Sequence, residues 1–213
     1  MKSRIIVIIL FVLILHGCEA TEPFRTLPEG KHQITLCAGF QNINIDNNGG
    51  PSSIIPYGSI GFFYGISDNF TLGGNFYPLL LLGGLIGFDA GGLIRLVKQN
   101  GAIPEFDFGL KIYIFPSTVL PAVRIPISSR LSQNFSIFVN PEILYRNDYS
   151  ATWLFTPSMG FALHSTTIQF QVEFKWLALG SASNSSSKFQ WNTTGNNIGL
   201  FVGIFFGNTG SEK

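Results

Sequence analysis

Few side chains in the sequence are suited to chemistry, and they are scattered. From residue 18 onward there are two histidines, His32 and His164, and two cysteines, Cys18 and Cys37. A general base needs a partner within hydrogen-bond reach, and a zinc site needs several His or Cys ligands at short spacings. No pair of His or Cys has such a spacing, so no catalytic residue, metal or cofactor is expected. Each histidine borders an alternating stretch and reads as a polar strand-end residue that meets water. Cys37, between Leu36 and Ala38, reads as a small core residue.

The remaining candidates are charges. Asp, Glu, Lys and Arg make up only 12% of the chain against 46% hydrophobic residues, and the formal net charge is +1. Without a basic run there is no electrostatic footprint for nucleic acid, which is excluded as a partner. Asp89, Arg95, Glu105, Asp107, Lys111, Arg124, Arg130, Glu142, Arg146, Glu173 and Lys175 all fall on the polar face of alternating stretches and have mixed sign. Facing one another across a narrow enclosure, they would form a structural network, because buried charges need partners. The functional alternative is that some of them line a narrow channel.

Such a face requires extended chain. In Ile168-Gln169-Phe170-Gln171-Val172-Glu173-Phe174-Lys175-Trp176, apolar and polar residues alternate without exception. Only a strand puts these two sets on opposite faces. Residues 105–114 and 153–163 repeat the arrangement, and Phe135, Ile137, Val139, Ile143 and Tyr145 oppose Ser136, Asn140, Glu142 and Arg146. About ten strands are expected, about eight being the lower count, starting near Gln33, Tyr57, Asn69, Gly87, Pro104, Val119, Asn134, Thr152, Thr166 and Asn197. Tight turns near Asp68, Asn100, Gln133 and Ser165 alternate with longer connections, notably Asp46–Ser53 and Gly180–Asn196. Pro121, Pro126, Pro141 and Pro157 fall inside these strands, where each removes a ladder donor and calls for a bulge or a shifted boundary. The run Leu79–Ile86 breaks the alternation in an expected connection and is a candidate lining for an apolar ligand.

The direction of the two faces follows from volume. Ten strands' worth of Phe, Ile, Leu, Val and Trp would overfill so narrow an interior, whereas turned outward they make a lipid-facing band. Phe70, Phe106, Phe135 and Phe206 fall at the short-turn ends of that face, and Tyr145, Trp153 and Trp176 at the long-loop ends, as in interfacial girdles.

The N-terminus reads as an export signal: Lys2 and Arg4, then an apolar run from Ile5 to Leu15, too short to span a bilayer comfortably. Leu15-His16-Gly17-Cys18 resembles the lipobox of bacterial lipoproteins, which implies cleavage before Cys18 and a lipid on its sulfur. The domain boundaries follow as signal peptide 1–17, tether 18–31, barrel 32–207 and tail 208–213. An ordinary cleaved leader is the alternative, under which Cys18 and Cys37 could pair in an oxidising compartment.

The closing stretch Ile198–Phe206 resembles the last strand of small bacterial outer-membrane β-barrels, although Gly207 to Lys213 trail beyond the terminal aromatic usual in that family. The resemblance covers Gln33 to Phe206 by pattern. It implies an all-β fold, a closed antiparallel up-and-down transmembrane β-barrel in the bacterial outer membrane, monomeric, with outer-membrane lipid and the assembly machinery as partners. Some members of that size are enzymes that use His at the outer rim; His32 and His164 are expected at the opposite rim, so the expectation is a non-enzymatic protein with a structural or surface-interaction role. A lipid-anchored, lipocalin-like carrier of apolar ligands in the periplasm is the alternative.

Overall fold

The computed structural model describes residues 22–44, 52–78, 87–115, 118–146, 152–176, 180–183, 190–191 and 198–207. Alternating sequence becomes strand throughout: β1 (His32–Asn44), β2 (Ser52–Ser67), β3 (Phe70–Tyr77), β4 (Gly87–Val97), β5 (Glu105–Phe115), β6 (Thr118–Arg124), β7 (Ile127–Ser132), β8 (Phe135–Asn140), β9 (Glu142–Arg146), β10 (Thr152–Phe155), β11 (Ser158–His164), β12 (Ile168–Trp176), β13 (Gly180–Ser183), β14 (Gln190–Trp191) and β15 (Ile198–Gly207). All pairings are antiparallel. The sheet closes as a ring of ten, running β1-β2-β3-β4-β5-β7-β8-β11-β12-β15 and back to β1 through Gln33 opposite Gly207. β6, β9, β10, β13 and β14 prolong neighbouring staves of that ring toward its long-loop end.

Prolines account for three of the five divisions by which ten staves appear as fifteen strands. Pro126 separates β6 from β7, Pro141 separates β8 from β9, and Pro157 separates β10 from β11. A proline lacks the ladder donor but keeps its acceptor. Accordingly, the carbonyls of Pro126, Pro141 and Pro157 accept from the backbone N–H of Asp107, Ile125 and Trp176 at 2.9–3.0 Å. Pro121 stays within β6 opposite Ile112, on the outer surface.

Two boundaries differ from the sequence expectation. β2 begins at Ser52, five residues before Tyr57, because pairing with β1 continues to Asn44 opposite Ser52. The expected Gly180–Asn196 loop is also shortened, since β13 pairs with β10 and with Gln190 and Trp191 of β14. In both places Ser and Gly read locally as loop, and cross-strand partners override that weak preference. The apolar run 79–86 lies outside the described residues.

The pleat sorts residues as the volume argument requires. In β12, Gln169, Gln171, Glu173 and Lys175 are buried while Ile168, Phe170 and Phe174 are exposed. β5 buries Glu105, Asp107, Lys111 and Tyr113 and exposes Leu110, Ile112 and Ile114. The inward face is thus the polar one, and the outer surface is a continuous band of large apolar side chains. Some bulky residues do point inward, and glycines on neighbouring strands make the room: Phe201 lies where a Cβ on Gly39 or Gly199 would stand.

Candidate functional site

The lumen is not filled by strand side chains alone. Residues 18–31 were expected to form a tether; of these, Glu22 to Lys31 are described, and they enter the barrel from the short-turn end and run up its interior. Lys31 and Gly30 dock on β2, where Gly65 N–H donates to Lys31 O at 2.8 Å and Gly30 N–H donates to Gly65 O at 2.9 Å. Gly65 is obligatory here, because a Cβ would collide with the Pro28 and Leu27 carbonyls. Higher up, Leu27 N–H donates to Thr71 Oγ1 at 2.6 Å, and Thr26 Oγ1 and Glu29 N–H donate to Asp68. Phe24 stacks flat on Phe138, with ring centroids 4.6 Å apart, over Ala162.

The segment's deepest described residue sits at the electrostatic centre. The Glu22 carboxylate bridges Lys111 Nζ and Arg124, the latter at 2.6 Å, and its carbonyl accepts from Gln171 Nε2 at 3.4 Å. Lys111 also meets Asp89 at 3.1 Å and lies 4.0 Å above the Tyr113 ring. Asp89 in turn accepts from Asn75 N–H and Nδ2 at 3.0–3.1 Å and from the Tyr77 hydroxyl. A second knot lies beside it: Glu142 accepts from Lys175 Nζ at 2.9 Å and from the Tyr113 hydroxyl at 2.8 Å. Ion pairs this deep hold only when hydrogen bonds satisfy the remaining lone pairs, as they do for Asp89 and Glu142.

Toward the short-turn mouth the segment becomes cationic. Arg25 donates to Ser128 Oγ and Gln99 Oε1, both at 2.7 Å, and Gln99 also bonds the backbone of Arg130. Burial pushes the Arg25 guanidinium below its ordinary pKa, and the Glu105 carboxylate opposes that shift. Arg95 pairs with Glu105 at 3.3 Å. A cavity of about 820 Å³ lies around the segment at this mouth, bordered by Arg25, Arg95, Arg130 and His164. Further in, the spaces beside Glu22 are only about 10 Å³ each. Beyond Glu22, toward the long-loop end, the wall turns apolar with Tyr113, Ala122 and Leu144, against which Phe115, Leu120 and Leu154 pack.

The expected interior charges come together in this lumen. Asp89, Glu105, Asp107, Lys111, Arg124, Glu142, Glu173 and Lys175 are buried, and Arg95 and Arg130 partly so. Arg146 shares the inward parity of Glu142 and Leu144 but is exposed at the end of β9. The expected girdle residues stand on the outer face near strand ends, Phe206 and Trp153 exposed, Phe70, Phe106, Phe135, Tyr145 and Trp176 half-buried. Tyr145 and Trp153 contact each other at 4.8 Å. Cys18 lies outside the described residues.

The histidines divide. His32 is exposed at the start of β1, as expected of a strand-end residue. His164, also expected to meet water, is instead buried, with Nε2 2.8 Å from Ser136 Oγ. A Ser–His pair becomes a nucleophile and base when a third group orients the imidazole. Among the described residues Nδ1 has no hydrogen-bond partner. Among the described residues no group of His, Cys, Asp and Glu could hold a metal ion.

Sequence reasoning missed Glu22, Phe24 and Arg25. Four residues between Pro23 and Pro28 are too few to show a period, and the partners that bury this stretch are drawn from strands far apart in sequence. Neither a protein-family model nor a curated protein matches the chain.

Proposed function

We propose that the chain is a non-enzymatic outer-membrane β-barrel of bacteria, exported, monomeric and surrounded by lipid, whose lumen is stopped by its own N-terminal segment and which serves envelope structure or surface interaction. The observation that carries this reading is the inverted pleat, with buried charges inside and exposed Ile112, Leu110, Phe170 and Phe174 outside. In water such a surface far exceeds the apolar patches soluble monomers tolerate. In lipid it is the required surface, and a closed ring leaves no edge strand with unpaired backbone groups.

A carrier of apolar ligands needs an apolar interior, whereas this one is lined by charges and occupied by Glu22 to Lys31. An open channel needs a continuous passage, and the small gaps beside Glu22 argue against one while the segment is in place. Membrane fractionation followed by electrophoresis with and without boiling tests the proposal. Recovery with the outer membrane and a heat-dependent shift in mobility are expected; recovery as a soluble monomer without detergent would refute it.

A further inference from the structure

The cavity of about 820 Å³ at the short-turn mouth is bordered by more positive than negative charge. Arg95 and Lys98 reach it from the end of β4, Arg130 from the end of β7 and Arg25 from the N-terminal segment inside. They meet because β4, β5 and β7 are consecutive staves of the ring, so residues far apart in sequence line one side of the mouth. Arg25 lies within electrostatic range of both Arg95 and Arg130, each of which opposes its charge. Among the described residues Glu105 is the one carboxylate that borders the cavity, and Asp107 lies buried two positions along the same strand. Even with both ionised, the four cations leave a positive surplus, to which a protonated His164 would only add. The exposed Glu29, Lys31 and Asp68 do not border the cavity.

Like charges held close repel unless an anion lies among them, and guanidinium groups match carboxylate and phosphate oxygens in pairs. The arrangement is also fixed in advance. Gln99 Oε1 accepts from Arg25 Nη2 and from the Arg130 backbone N–H, both at 2.7 Å, and so sets two of the cations relative to each other. Ser128 and Gln99 engage Nε and Nη2 of Arg25, which leaves its Nη1 group for a ligand in the cavity. The volume is that of a small-molecule site and exceeds what one inorganic ion fills. We propose that the short-turn mouth binds a small organic anion bearing two or more carboxylate or phosphate groups, held by Arg25, Arg95, Lys98 and Arg130. Because Arg25 belongs to the segment that fills the lumen, ligand and segment hold each other in place. The site stands on the lumen's own geometry; the membrane-spanning reading adds only that it opens to the periplasm.

The test titrates citrate and, separately, inorganic pyrophosphate into the full chain folded in non-ionic detergent, by calorimetry at constant ionic strength. Binding of at least one of them tighter than about 1 mM is expected, and the anion that binds tells whether carboxylate or phosphate is preferred. Arg130→Gln should weaken binding by about tenfold or more, the worth of one charge-assisted contact. Lys98→Gln, at an exposed cation, should weaken it by about threefold, and Lys31→Gln, outside the cavity, should leave it unchanged. Should Arg130→Gln fail to fold, the comparison of Lys98→Gln with Lys31→Gln decides. The bound anion should also slow hydrogen exchange at the Leu27 and Gly30 amides, which the segment's docking protects. The inference is overturned if neither anion binds, if Lys31→Gln weakens binding as much as Lys98→Gln does, or if a bound anion leaves those two amides unaffected. Recovery of the chain as a soluble monomer would remove the membrane-spanning reading and leave this test standing.

Discussion

Replacing Glu22 by Gln removes the charge that holds the segment in the lumen while keeping the side chain's size. Arg124 then loses its partner at 2.6 Å, and Lys111 loses Glu22 while keeping Asp89. Breaking a buried pair by removing one member costs about 3–5 kcal/mol, because the other charge stays buried. Asp89 retains part of the compensation, so the lower end applies, about 3 kcal/mol, which corresponds to roughly a hundredfold rise in the fraction of molecules with the segment released. Amide hydrogen exchange reads this directly. The N–H groups of Leu27, Glu29 and Gly30 are bonded to Thr71, Asp68 and Gly65, and they exchange only when the segment lifts off. In detergent or vesicles, Glu22→Gln should speed exchange of these amides by about two orders of magnitude while leaving β12 and β15 unchanged. Unaltered protection at Leu27 and Gly30 would refute the claim that Glu22 anchors the segment; loss of protection across the whole ring would mean that it holds the barrel instead.

Other expectations follow from the same geometry. Gly65→Val drives a side chain into the Pro28 and Leu27 carbonyls and should expose residues 26–31 to protease in the folded barrel, which mass mapping of the cleavage products would detect. Deletion of residues 22–31 should give ion currents in planar bilayers where the intact chain is quiet, since the remaining lumen loses its filling. Ile112→Arg, on the outer face at mid-height, should destabilise the lipid-embedded barrel by about 2–4 kcal/mol in denaturant unfolding; in a soluble barrel the same change would cost almost nothing. The row of Pro126, Pro141 and Pro157 should make the amides of Ile127, Glu142 and Ser158 the fastest-exchanging in the barrel wall.

The fold was legible where one strand carries its own instruction. In β12 the two-residue period alone separates Gln169, Gln171, Glu173 and Lys175 from Ile168, Phe170 and Phe174, and the pleat follows it without a break. Legibility failed where structure depends on distant partners. Ser52 to Pro56 are strand because β1 continues opposite them, and Gly180 to Ser183 because β10 does. Arg146 has the right parity but is exposed at the end of β9, which a strand's own sequence does not state. The segment from Glu22 to Lys31 was the least legible part of the site, since its contacts come from turns and strands between residues 65 and 171 and leave no local pattern. Likewise, the Ser136–His164 contact joins two strands whose alignment is set by the β8–β11 register.

The central claim is that the outer surface faces lipid. A nitroxide on a cysteine replacing Ile112, with Cys18 and Cys37 changed to Ser and Ala, reports on it directly when the barrel is refolded into phospholipid vesicles. The account predicts that oxygen, which dissolves in the bilayer, relaxes the probe strongly, while a water-soluble nickel chelate barely reaches it. A probe that collides freely with the nickel chelate would place Ile112 in water and contradict the account.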